Sequence, residues 1–312
     1  MIDLVQVASP RLICLGLSAY DLTWIVDSLP SSGGKTRALD IHEGGGGMAA
    51  NASVAATKLG ADVKFWGRAG QDPWGFAMRE GLQKLGVDVT QFRLFEGSRS
   101  SVSGVIVDRF GERTIVNFRG LGLPEDPSWL PLAEVEFSHA VLADSRWPEG
   151  ALALFQAAKY YRIPSVLDGD VTEARIFDGL LPFVDYAVFS ESGLKDYAAQ
   201  RCEIEKQLQF ARSKGCSVAA VTLGERGVLW VDDEGVHHLP AFPVKAVDTT
   251  GAGDVFHGAF AFAIGARAPL QKAFQLASVV AALKCMHSGG RNGVPNLSTA
   301  LSVLQNFEEK NE

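Results

Sequence analysis

The chain has 312 residues, 47% of them hydrophobic and 21% charged, with a formal net charge of −7 at pH 7. That length suits one large α/β domain or two ordinary ones, and the apolar share is enough for a substantial core. The acidic balance excludes broad nucleic-acid binding, which needs a basic face to displace counterions, although a few local cations can still make a cleft attractive to an anionic small molecule. Four cysteines (Cys14, Cys202, Cys216 and Cys285) stand far apart without CxxC spacing. They argue against structural zinc and a disulfide framework, and for a reducing cytosol. The opening MIDLVQV carries Asp3 and no basic stretch, so it does not read as a leader.

In chain order, an apolar strand is expected over residues 11–17. Short extended segments follow over 21–26 and 36–41, around the turn-rich SLPSSGGK. After the glycine run, MAANASVAATKLG places small residues at helical spacing and predicts a helix that stops at Gly60. A strand over 62–66 and a helix over 73–85 come next. Residues 101–108 and 114–118 alternate about Arg109-Phe110-Gly111-Glu112, which predicts a β-hairpin. From His139 the pattern is strand 140–143, helix 150–161, strands 165–168 and 186–189, helix 203–214 and strand 217–223. Strands alternating with crossover helices predict an α/β fold, a three-layer α/β/α core around a mainly parallel sheet. The extended pieces at about 18–40 and 98–120 read as a small β-sheet lid on one domain spanning 1–312. Its exposed strand edges point to a homodimer through the lid. The apolar run over 256–266 is too short to cross a bilayer and reads as a buried helix, and the tail 305–312 is expected to fray.

The segment DTTGAGDVFHGAFAFAIGA, residues 248–266, carries the clearest chemistry. Gly251, Ala252 and Gly253 leave backbone N–H groups uncovered at the positive end of a helix, a setting for the charge on a transferred phosphoryl group. Asp254 sits in the first turn. Its bland reading is a capping residue; its chemical reading is a base for an acceptor hydroxyl. Farther upstream, EGGGGMAANASVAATKLGADVKFWGRAGQDPWG offers Gly45 and Gly46 for close backbone approach and Asn51 as both donor and acceptor. VTLGERGVLW describes a tight strand–turn–strand.

DTTGAGD resembles the C-terminal signature of the PfkB/ribokinase family of carbohydrate kinases, and residues 43–75 resemble its N-terminal signature, in the right order and spacing. The resemblance implies ATP-dependent phosphorylation of a sugar in the cytoplasm, with no nucleic-acid or membrane partner. It assigns the anion hole to Gly251, Ala252 and Gly253 and the catalytic base to Asp254. It implies sugar contacts from Asp21, Gly45, Gly46 and Asn51, and nucleotide contacts from Thr222, Gly224, Gly227, Thr249, Gly251 and Gly253. Mg2+ is implied with ATP, and a monovalent cation such as K+ stays open. One departure concerns the metal: where many members have Asn-x-x-Glu, this chain has Ser190-Glu191-Ser192-Gly193, leaving Glu191 as the metal candidate.

GGK, GERTIVN, VLADSRW, VLDGD, AALKC and GGRNGVP are further similar to segments of sulfofructose kinases. That likeness implies an anionic sugar, 6-deoxy-6-sulfofructose, with its sulfonate held by Lys35, Asn117 and Arg146. Kinases acting on fructose, ribose, 2-keto-3-deoxygluconate or a ketohexose phosphate are the alternatives. A dinucleotide enzyme is disfavoured because GGGGMAANA lacks GxGxxG spacing after a first βα strand. A non-catalytic sensor would have no need of the intact GAGD.

Overall fold

The computed structural model describes residues 7–31 and 33–308. The reading of the first residues as no leader, and the last part of the expected frayed tail, lie outside these. Within them, residues 305–308 continue a helix.

The strands are β1 (Arg11–Gly16), β2 (Ala19–Ile25), β3 (Asp40–Gly46), β4 (Asp62–Gly70), β5 (Phe92–Phe95), β6 (Val102–Val107), β7 (Arg113–Phe118), β8 (Ala140–Asp144), β9 (Ser165–Gly169), β10 (Tyr186–Ser190), β11 (Val218–Thr222), β12 (Val228–Val231) and β13 (Val236–Leu239). The helices are α1 (Met48–Lys58), α2 (Pro73–Lys84), α3 (Pro148–Tyr161), α4 (Ala174–Leu180), α5 (Glu191–Tyr197), α6 (Ile204–Arg212), α7 (Ala252–Gly265), α8 (Leu270–Cys285) and α9 (Leu297–Glu308).

Two sheets form. The larger has the order β13-β12-β11-β10-β9-β8-β1-β4-β5 and is parallel except at β12 and β13. The smaller has the order β3-β2-β6-β7. β8 and β9 are buried along their whole length because helices cover both faces, which is why they read as continuous apolar runs. The side chains of β1 divide between the layers. Leu12 and Cys14 join the core under α1, α2, α7 and α8, while Ile13 and Leu15 join the core under α3, α4 and α6. The three-layer α/β/α core expected from the alternation is therefore present, with the smaller sheet beside it.

Several boundaries differ from expectation for identifiable reasons. The third strand lies at Asp40–Gly46, not 36–41, because Asp21 pairs with Gly44 and the register pulls the glycine run into the sheet. β4 continues to Gly70 because β5, which the sequence did not announce, pairs with its end. β13, α4 and α5 are short and carried no periodic signal. The hairpin formed as expected, with Val107 opposite Arg113.

The apolar run is α7, buried from Val255 to Gly265. A Cβ placed on Gly258 would stand 2.2 Å from the Ala52 carbonyl of α1. This close crossing sets α1 and α7 side by side and brings their N-terminal turns to one place.

Candidate active site

α7 begins at Gly251, which caps it in the left-handed region at φ 72°, a conformation glycine adopts without strain. Among the described residues, the N–H groups of Gly251, Gly253 and Asp254 donate to no protein acceptor, whereas Ala252 donates to the Thr249 carbonyl at 3.2 Å. The expected anion hole therefore needs one correction: Ala252 supplies a turn hydrogen bond, and the uncommitted amides include that of Asp254. Nothing crowds the Cα of Gly253, so the end of the helix is open.

Asn51, on the first turns of α1, donates from Nδ2 to Asp254 Oδ2 at 2.7 Å. Its Oδ1 accepts from Arg291 Nε at 2.8 Å, and Arg291 Nη2 donates to the Gly46 carbonyl at 3.0 Å. Burial raises the Asp254 carboxyl from the usual 3.8 to about 6; the Asn51 hydrogen bond opposes this, and Asp144 and Asp170 add to it. Burial lowers the Arg291 guanidinium to about 10, against the pull of Asp21 and Asp254, so it stays charged at neutral pH. A carboxyl raised toward neutrality beside free amides and a charged guanidinium has the chemistry to accept a hydroxyl proton.

The glycines upstream have a physical reason beyond flexibility. A Cβ on Gly45 would lie 2.3 Å from Arg291 Nη1, and one on Gly46 would lie 2.1 Å from Asp21 Oδ2. The small sheet thus makes room for two charged side chains. Asp21, Ser103 and Asn117 are neighbours in one row across β2, β6 and β7. Ser103 hydrogen-bonds to Asp21, and Asn117 Nδ2 donates to Ser103 Oγ at 3.1 Å. Burial raises the Asp21 carboxyl, offset by Ser103 and Arg291.

The remaining predicted residues are more dispersed. Arg146, after β8, donates to Asp170 Oδ2 at 2.8 Å and to the Val171 carbonyl at 2.7 Å. Lys35 is exposed in the loop between β2 and β3, and no hydrogen bond or ion pair holds it among the described residues. Lys35, Asn117 and Arg146 are not linked to one another. Glu191 pairs with Arg226 at 2.5 Å, both side chains being about half exposed. The Glu191 carboxylate is thereby attached to the TLGERG turn. In that turn Gly224 and Gly227 both have positive φ, and a Cβ on Gly227 would meet the Leu239 carbonyl at 2.0 Å, so packing alone demands that glycine. Thr222 Oγ1 leans on the Phe189 carbonyl at 3.4 Å. An open cavity lined by Leu223, Glu225, Arg226 and His238 flanks the turn. Among the described residues no set of three or more His, Cys, Asp or Glu could hold a metal.

Sequence reasoning missed five contributors. Arg291 lies in GGRNGVP, which was noted only as a likeness. Arg113, on the hairpin, donates to Thr250 Oγ1 at 2.7 Å and Thr249 Oγ1 at 3.0 Å, and lies 3.6 Å from Asp248. Lys284, in AALKC, donates to the carbonyls of Asp248 and Thr250. Asp168 and Asp170, in VLDGD, place further carboxylates near Asp254. The available signal was a charged residue inside an otherwise small or apolar stretch, which marks a buried polar group without saying what it meets.

Residues 9–297 match the model of the pfkB family of carbohydrate kinases. The chain belongs to this family. A candidate ribokinase from Agrobacterium tumefaciens, solved as a crystal structure, is 33% identical, superimposes with a TM-score of 0.91 and covers 96% of this chain and 99% of its own. The ATP-dependent ribose-1-phosphate kinase of Halopiger xanaduensis is 26% identical over 96% of this chain and 99% of its own length. The ribokinase of Bacillus subtilis is 28% identical over 94% of this chain and 99% of its own. The pfkB chain described here is thus an ATP-dependent carbohydrate kinase with a ribokinase-like fold.

Proposed function

We propose that this kinase transfers the γ-phosphoryl group of ATP to the 1-hydroxyl of an anionic ketose, 6-deoxy-6-sulfofructose. The observation that carries the chemistry is the Asp254 carboxylate, bonded to Asn51 and standing beside the unpaired amides of Gly251 and Gly253. Support for an anionic acceptor comes from cations in an otherwise acidic chain: Arg291 hydrogen-bonded to Asn51 beside Asp254, half-buried Arg146 beside Asp170, and exposed, uncommitted Lys35 in the loop leading to the small sheet, with Asn117 in the row beside Asp21. A sulfonate is well served by one or two cations and an amide.

In this reading the sugar lies under the small sheet, its hydroxyls met by Asp21, Asn51 and the backbone at Gly45 and Gly46. The nucleotide lies along the turn at Thr222, Gly224 and Gly227, with its terminal phosphate at Thr249, Gly251 and Gly253. Asp254 takes the proton of the attacking hydroxyl while the amides hold the charge of the phosphoryl group in line. Mg2+ would enter on the ATP phosphates and neutralise them; few protein carboxylates are then needed, with Glu191 and Asp170 the candidates to hold its water shell. We read residues 1–312 as one kinase domain with a lid, acting in the cytosol, where its cysteines stay free thiols as they are here.

Kinetic comparison of 6-deoxy-6-sulfofructose, fructose 6-phosphate, fructose and ribose, each with ATP, tests the acceptor. The sulfosugar should have the highest kcat/KM, and Lys35→Met or Asn117→Ala should raise its KM while leaving that of neutral sugars nearly unchanged. A higher kcat/KM for ribose, the substrate named in relatives such as the Bacillus ribokinase, or for fructose 6-phosphate would replace this assignment.

A further inference from the structure

Lys284 stands in the last turn of α8 with no exposed surface. Among the described residues no carboxylate lies within ion-pair distance of its ammonium, which instead donates to two main-chain carbonyls, those of Asp248 and Thr250. Those carbonyls belong to the loop that feeds directly into Gly251 and the uncommitted amides. The same loop is fastened to the end of α8 by Val247 and Asp248, whose N–H groups donate to the Cys285 carbonyl at 2.7 and 3.0 Å. The Asp248 carboxylate accepts from the Thr250 and Gly289 amides at 2.8 and 2.9 Å.

A buried ammonium held by two main-chain carbonyl oxygens resembles a potassium ion whose water shell is replaced by oxygen dipoles. The C-terminal end of α8 adds its negative pole, and the Asp248 charge opposes the loss of the proton that burial favours. A free K+ at this loop would need the oxygens the ammonium already holds, so the residues present do not fit one there. We propose that Lys284 is a tethered monovalent cation, a positioning residue that fixes the Asp248 and Thr250 carbonyls so that the amides of Gly251, Gly253 and Asp254 point free, and that turnover is therefore independent of added K+.

The test uses the full-length enzyme with ATP and whichever of the four sugars above is turned over fastest; an acceptor inactive in every salt counts against the substrate assignment and not against Lys284. In KCl, NaCl and choline chloride at equal ionic strength, wild-type kcat should differ by less than about twofold, since screening is then matched. Lys284→Met should lose about 10²-fold in kcat in choline, the scale of a small misplacement at the reacting groups, and NH4+ or K+ should restore most of it. Thermal melting gives an independent readout: the Tm of the variant should rise with NH4+ or K+ over choline, and that of the wild type should not. Strong K+ activation of the wild type, or a folded variant whose activity and Tm ignore both ions, would overturn the proposal. Should the variant not fold, the salt series and melts of the wild type decide the matter alone.

Discussion

At the scale of single residues, burial holds the Asp254 carboxyl, like those of Asp144 and Asp168, above its ordinary range. Its raised pKa means that the fold penalises the ionised form. That penalty is present above the folded value of about 6 and fades as the pH falls toward the ordinary 3.8. Asp254→Asn should therefore melt no lower than the wild type at pH 8, with any advantage shrinking in acid, while kcat falls by about 10³-fold and the KM values change little. The pH profile follows the same sign: kcat/KM should decline below about pH 6, where the base is protonated. Asn51→Leu removes the hydrogen bond that lowers this pKa, so the acidic limb should move to higher pH; a stationary limb would mean that another group titrates. Gly46→Ala is a sharper probe of the acceptor side, because its methyl would push on Asp21 and should raise the sugar KM more than the ATP KM. Asp254 was legible because DTTGAGD places the acid, the glycines and the helix start in one stretch. Arg291 was not, because its partner Asn51 lies 240 residues away and no local pattern records such a distance.

At the scale of elements, the site depends on how closely α1 approaches α7 and on how the small sheet is anchored. Gly258 against the Ala52 carbonyl sets the first. Gly258→Ala forces the helices apart and should destabilise the protein by about 1–3 kcal/mol, read as a lower denaturation midpoint with unchanged m-value. Activity should fall as well, since the Asn51–Asp254 hydrogen bond spans that crossing. Arg113 sets the second, tying β7 to the Thr249 and Thr250 hydroxyls across the cleft. Arg113→Met should speed amide exchange in the β6–β7 hairpin and lower kcat/KM by about tenfold, the scale of one hydrogen bond to a charged group. Exchange that is unaffected would remove Arg113 as an anchor. The hairpin itself was readable from its alternation and its turn. The strand β3 was misplaced because glycines carry no β signal, and only pairing with β2 makes Gly44–Gly46 extended.

At the scale of the whole molecule, alternation of buried strands with amphipathic helices made the layered core legible, since burial on two faces leaves a distinct apolar run. The edge strands β5 and β13 are short and half exposed, so they left no such mark. The small sheet leaves Val116 71% exposed and Ile115 55% exposed, with Phe118, Leu121 and Ile41 also open to solvent. We propose that a second copy covers these residues. Light scattering should then give a dimer, and Val116→Arg should yield a monomer; a wild-type monomer at micromolar concentration would refute it.

The hydrogen bonds that join Asn51 to Asp254 and to Arg291 also order events in time. Synthesis runs from the N-terminus, and the central strand β1 pairs with β4 and β8, all complete before residue 145. The four neighbouring strands β8, β1, β4 and β5 can therefore assemble while Asp254 and Arg291 have yet to be made. A nascent chain that has reached β8 but not α7 or Arg291 therefore has its central strands and still lacks both partners of Asn51.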